Sequence, residues 1–287
     1  MSSASAARDD ARERLLASAV LELVPMSSVE DQIGLLPPHS RVSVTCSPVK
    51  GIDATLVLAA RLAALGHHVV PHLAARMVTD RLHATHIAHW LRGHEITDVF
   101  VIAGDAHVPH GPYEGAVPFL RDLLASEPGV DRVGVAAYPD GHVALDDAIV
   151  HDALRAKQAL LRDAGIDGYV ATQMCFDPDR IVGWLQDERD AGLVLPVQLG
   201  VAGPVDRARL LTMGARLGVG ASLRYLRKNR ASVTRMLSFS GYDPSQLIDP
   251  IAPHADRLGI TGLHLFTFNN VADTVAWRAR SLGRLGG

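Results

Sequence analysis

Only two cysteines occur in 287 residues, and Cys46 and Cys175 lack the spacing of a metal site, so a disulfide scaffold is excluded and reduced thiols in a cytoplasmic setting are expected. A surplus of basic charge is also missing. The formal net charge is −3 and the two signs are interspersed, so no stripe exists to collect phosphates and no nucleic-acid partner is expected. Met1 to Asp10 is Ser/Ala-rich and then charged, without the apolar centre of a secretory signal, and no apolar run reaches membrane-spanning length. Secretion and membrane insertion are therefore not expected. Low-complexity tracts and repeats are missing too. Gly214 to Gly220 holds Gly-x-x-x-Gly-x-Gly, but no strand precedes it, which argues against a Rossmann turn.

What is present is a strong alternation. With 48% hydrophobic residues the chain can bury a large core, and one domain over 1–287 is expected, with 1–19 as an N-terminal helical extension. The patterning predicts strands at Val20–Val24, Arg41–Cys46, His67–His72, Asp98–Ile102, Asp131–Ala137, Gly168–Ala171, Leu195–Leu199 and Gly262–Phe266. Between them it predicts helices, among them Ile52–Leu65, Thr79–Arg92 with Thr79 as cap and Gly93 as stop, Asp147–Ala164, Pro178–Ala191 and a long stretch from Val205 to about Leu237. Eight strands joined by helices favour a closed (β/α)8 barrel, since right-handed crossovers between parallel strands accumulate into a ring; an open doubly wound sheet is the alternative.

The chemistry-bearing residues cluster where the predicted strands end. Glu22, Thr45, His72, Asp105, Tyr138 and the Thr172-Gln173 pair each follow or close an apolar run, the position at which α/β barrels build active sites. A carboxyl at Glu22, before Pro25, faces a partly dry pocket on this reading, and burial favours a carboxyl that keeps its proton for use as an acid. The plain alternatives are a solvated carboxylate at Glu22, a turn residue at Asp105 and a satisfied amide at Gln173. His83, His86 and His89 step by three along one predicted helix and read as an exposed face, so no metal is expected. Ser238 to Tyr242 lacks the strand-to-helix elbow of a hydrolase serine and reads as a helix terminus and loop.

Taken in order, Leu21-Glu22-Leu-Val-Pro25, Val44-Thr45, Pro71-His72-Leu73, Gly104-Asp105, Ala137-Tyr138-Pro139-Asp140-Gly141-His142, Asp163-Ala164-Gly165, Thr172-Gln173 and His264-Leu-Phe266-Thr267-Phe268-Asn269 resemble the methylenetetrahydrofolate reductases. That resemblance implies a flavin-containing barrel oxidoreductase of one-carbon metabolism, serving methionine biosynthesis. Hydride would pass from NAD(P)H through FAD to 5,10-methylenetetrahydrofolate, giving 5-methyltetrahydrofolate. It implies Glu22 as the acid that opens the folate ring, Asp105 between flavin and folate, and Gln173 and Phe266 at the folate. It implies Thr45, His72, Asp105, Ala137, Tyr138, His142 and Arg162 at the flavin, with Arg162 meeting its phosphates, and a possible homo-oligomer.

This chain departs from the family pattern at Ala103, where an Arg precedes the Gly-Asp pair, at Ala74-Ala75 in place of Thr-Cys, and at Asn270 in place of an Arg. These departures predict weakened FAD binding. The alternatives are direct hydride transfer from NADH to the folate, a barrel enzyme of another type, or a non-catalytic relative with a binding or regulatory role.

Overall fold

The computed structural model describes residues 3–206, 210, 237–238 and 241–283. In chain order its elements are α1 (Ser3–Ala17), β1 (Val20–Leu23), α2 (Glu30–Ile33), β2 (Arg41–Val44), α3 (Gly51–Ala64), β3 (His68–Ala74), α4 (Arg81–Gly93), β4 (Asp98–Ile102), α5 (Ala116–Ala125), β5 (Arg132–Ala137), α6 (Asp147–Asp163), β6 (Asp167–Thr172), α7 (Pro178–Asp190), β7 (Val197–Ala202), β8 (Leu237–Ser238), β9 (Gly241–Tyr242), α8 (Ser245–Ile251), α9 (Ala255–Leu258), β10 (Ile260–Phe266) and α10 (Val271–Ser281). Eight of the strands close a barrel in the order β1, β10, β7, β6, β5, β4, β3, β2, so the (β/α)8 architecture holds and the open sheet does not.

The barrel strands are buried along most of their length, as parallel strands covered by helices must be. Leu21, Leu23, Val42, Val44, Leu263 and Leu265 are all fully buried, each worth roughly 1.5–3 kcal/mol of transfer free energy. Period-two alternation then sends the intervening residues to the other face. In β1 and β2 these are Glu22 and Ser43, which are opposite each other in the register and both buried.

Two compact units are discernible. One comprises Leu21–Ala136 and His151–Val170, the other Met1–Val20, Ala137–Val150 and Ala171–Gly287. Within the second, the N-terminal helix is tied down by arginines: Arg278 donates to the carbonyls of Leu16 and Ala17, and Arg12 pairs with Asp249 at 2.7 Å.

Local departures from the sequence reading have local causes. α4 is capped by Asp80 and not Thr79, because the Asp80 carboxylate accepts the His83 amide at 2.7 Å; Gly93 is the last helical residue and not the stop beyond it. Leu237–Ser238 and Gly241–Tyr242 pair as antiparallel strands where a helix terminus and loop are expected, and the Tyr242 amide is bonded to the Val205 carbonyl. The helix expected from Val205 to Leu237, with Gly214 to Gly220, lies largely outside the described residues. Both cysteines are free thiols. No helix among the described residues is long and apolar enough to cross a membrane.

Candidate functional site

In the unit built on β1 to β5, Glu22 and His72 meet. Glu22 is the penultimate residue of β1 and His72 lies near the end of β3, and they are 7% and 5% exposed. His72 Nε2 is 3.9 Å from Glu22 Oε2, beyond hydrogen-bond length and within ion-pair reach. The imidazole also rests against Phe100, its register neighbour on β4, with ring centroids 4.7 Å apart. A buried carboxyl and a buried imidazole thus stand side by side at the ends of β1 and β3. Thr45 follows β2; its amide donates to the Leu23 carbonyl at 2.9 Å and its carbonyl accepts the Thr55 hydroxyl, so the residue ties β1 to α3 and leaves its own side chain half-buried. Asp105 is exposed, three residues beyond β4, on a loop that leaves the strand through Gly104 at φ +87°.

The opposite ends of the same strands hold a different cluster. Asp98, Arg41 and Arg132 belong to strand starts in this unit and line a cavity of about 490 Å³ together with His67 and Asp167, and Tyr169 of β6 packs beside them. Asp98 Oδ2 is 3.5 Å from Arg41 and 3.9 Å from Arg132, and the Arg132 guanidinium lies 4.3 Å over the Tyr169 ring. Burial pushes the Asp98 carboxyl up to about 6 although both arginines pull it down. Burial, reinforced by the Asp98 charge, likewise raises the Tyr169 phenol. Lys157, on α6, donates to the Ala136 carbonyl at 3.1 Å, and burial lowers its ammonium to about 8. Arg162 is in the last turn of α6, just before β6 begins, exposed and paired with Asp163 at 2.8 Å. A helix that follows β5 runs back toward the strand starts, so Arg162 is not brought to the rim where the resemblance would have it meet phosphates.

In the second unit, β5, β6 and β10 end in polar and aromatic groups. Ala137 is buried, and its carbonyl accepts the Gln173 amide at 2.8 Å. The Gln173 side-chain oxygen in turn accepts the Met174 amide at 2.9 Å, leaving the half-buried side chain its NH2 group to offer. Tyr138 and His142 meet edge to face with centroids 4.9 Å apart. Phe266 is half-buried against Met174, Phe176, Ala202, Val205, Leu210, Tyr242 and Phe268. Phe268 and Asn269 both have left-handed backbone, φ 52° and 57°, a conformation costly for a bulky residue, and the Asn269 amide is held by the Thr267 hydroxyl. His264 was not nominated by the sequence reading. It is buried in β10 with its ring 5.1 Å from Phe266, and its signal was a lone imidazole between two fully buried leucines.

No family model matches the chain. It is 35% identical over 95 residues to methylenetetrahydrofolate reductase 2 of Saccharomyces cerevisiae; the match takes in 31% of this chain and only 15% of that protein's length. A protein from Clostridium thermocellum that binds two copies of 5-methyl-5,6,7,8-tetrahydrofolic acid shares the fold at TM-score 0.62, with 12% identity over 92% of this chain and 94% of that one. An oxaloacetate acetylhydrolase aligns at TM-score 0.48 and 11% identity over 96% of this chain and 87% of its own.

Proposed function

We propose that this barrel is an oxidoreductase that reduces 5,10-methylenetetrahydrofolate to 5-methyltetrahydrofolate with hydride from NAD(P)H. The carrying observation is the buried Glu22–His72 pair at the ends of β1 and β3. Ring opening of the methylene bridge needs a proton on the departing nitrogen, and a carboxyl withdrawn from water beside an imidazole is suited to supply it. Asp105, exposed on its loop, would accept from the donor edge of a pterin. The likeness to the yeast reductase and the methyltetrahydrofolate bound by the Clostridium protein support this reading.

FAD would serve as the hydride carrier between nicotinamide and folate. Within the unit that holds the Glu22–His72 pair, Thr45, His72 and Asp105 would meet its ring end. The diphosphate end fits less well, since Arg162 is exposed at the far end of α6 on Asp163 and position 103 is an alanine. That same observation favours direct transfer from the nicotinamide to the folate as the second reading.

The test is to mix purified protein with 5,10-methylenetetrahydrofolate and NADH or NADPH, with and without added FAD, and to record its absorbance spectrum. Formation of 5-methyltetrahydrofolate is expected. Flavin absorbance with activity restored by added FAD supports the carrier, whereas full turnover by colourless protein moves the reading to direct transfer. No product under any of these conditions removes the folate reading altogether.

A further inference from the structure

Arg76 makes an unusual set of bonds for a residue just past a strand. It sits in a single turn, Ala75–Met77, directly after β3. Its Nε donates to the Ala106 carbonyl at 2.8 Å, Nη1 to the Glu114 carbonyl at 3.0 Å and Nη2 to the His107 carbonyl at 2.9 Å. Its backbone joins in: the Arg76 amide donates to the Ala103 carbonyl at 2.9 Å, and its carbonyl accepts the His110 amide at 2.8 Å. All five partners belong to the stretch that leaves β4 and leads to α5, and they bracket Asp105. The side chain is 21% exposed, so these bonds form largely out of water, while the nearby Glu114 carboxylate is 83% exposed and adds little.

The backbone around Asp105 is seated closely on the same segment. A Cβ on Gly104 would come 2.8 Å from the Ala74 Cβ, and one on Gly111 would come 2.1 Å from the Thr79 carbonyl oxygen. Beneath the loop Ala74, Met77 and Ala106 form a small buried cluster with Cys46 and Ile102 against it. A side chain at position 104 therefore has no room beside Ala74. Three carbonyls at different heights require a planar fork of donors; a lysine ammonium reaches one or two of them.

We propose that Arg76 is the positioning residue for Asp105, its guanidinium holding the β4–α5 loop so that the exposed carboxylate is presented in one place to a nitrogen-rich ring. The presentation half rests on the folate reading above; the loop clamp does not.

Two measurements separate them. Hydrogen exchange is followed in wild type, Arg76→Lys and Arg76→Ala, with circular dichroism checking the fold. Amides of 104–114 are expected to exchange at least tenfold faster in the variants, while those of β1 to β3 keep their rates. Unchanged exchange in 104–114 in both variants overturns the clamp, and this arm needs no substrate. Steady-state kinetics with 5,10-methylenetetrahydrofolate then compares Arg76→Lys, Asp105→Asn and the double variant. Arg76→Lys alone is expected to raise KM about tenfold with kcat within threefold, and to add less than twofold once Asp105 is Asn. Effects that multiply in full show that Arg76 does not act through Asp105 and overturn the proposal. Wild-type protein with no folate turnover sinks the functional reading and leaves the exchange result to decide the clamp.

Discussion

The two ends of β1 to β5 are built from the same kinds of residue and use them differently. At the strand starts Asp98 lies between Arg41 and Arg132, with Tyr169 under the Arg132 guanidinium; these charges answer one another inside the unit. At the strand ends Glu22 and His72 are buried together at 3.9 Å, and Asp105 is left exposed on a loop that Arg76 secures through carbonyl oxygens instead of through the carboxylate. A barrel keeps stability at one rim and chemistry at the other. The contrast teaches that the burial of a charged group says little by itself. What distinguishes the rims is what stands beside it: two guanidiniums beside Asp98, an imidazole beside Glu22.

The largest expected effect tests the chemical rim. Glu22→Gln should lower folate reduction at least about a hundredfold, the usual scale for a positioned acid, with the denaturation midpoint close to wild type. Near-normal turnover in that variant would take Glu22 out of the mechanism and erase the contrast.

The next effect belongs to the other rim. An unfolded Asp98 titrates near 3.8 and the folded one near 6, so between those values the unfolded chain alone has released its proton. Stability should therefore fall as pH rises through that window, the cost being absent below it and complete above it, with a size of order 2 kcal/mol. Urea denaturation at several pH values should show the slope in wild type and a flattened one in Asp98→Asn, whose folate turnover should stay within twofold. A large loss of turnover in Asp98→Asn would break the comparison.

The smallest effect concerns a buried charge on α6. Lys157 titrates near 10.5 unfolded and about 8 folded, so its cost is fully present below about pH 8 and vanishes as pH rises past 10.5. Lys157→Met should stabilise the protein at pH 7 by about 1 kcal/mol, because an apolar chain of similar length fills the same space without a charge. A thermal melt should rise by about 2–4 °C; a fall would show that the bond to the Ala136 carbonyl outweighs the burial of the ammonium.

Most barrel strands were legible to within two or three residues, since apolar runs such as Val99-Phe-Val-Ile need no distant partner to be recognised. The α7 start was legible for a similar reason: Asp177 caps it and Pro178 opens it. Less legible was the cap of α4, where Thr79 and Asp80 are adjacent candidates and only the geometry of the His83 amide chooses between them. Among the site residues, Glu22, His72 and Asp105 were nominated at their strand ends, yet nothing local joined Glu22 to His72. Arg162 misled because adjacency in sequence to Asp163-Ala164-Gly165 conceals which end of a helix is reached.

The sequence by itself determined the periodicities, and with them the alternation of strand and helix, the apolar faces and the polar residues at strand ends, because these depend on neighbours within a turn or two along the chain. Tertiary structure alone decided which of those residues meet. Glu22 and His72 are fifty positions apart, and they come together only because β1, β2 and β3 pair in one register. Arg76 finds the Asp105 loop, and Asp98 its two arginines, by the same pairing carried on through β4 and β5, since a slip of one residue in any of these strands would turn every such side chain to the other face.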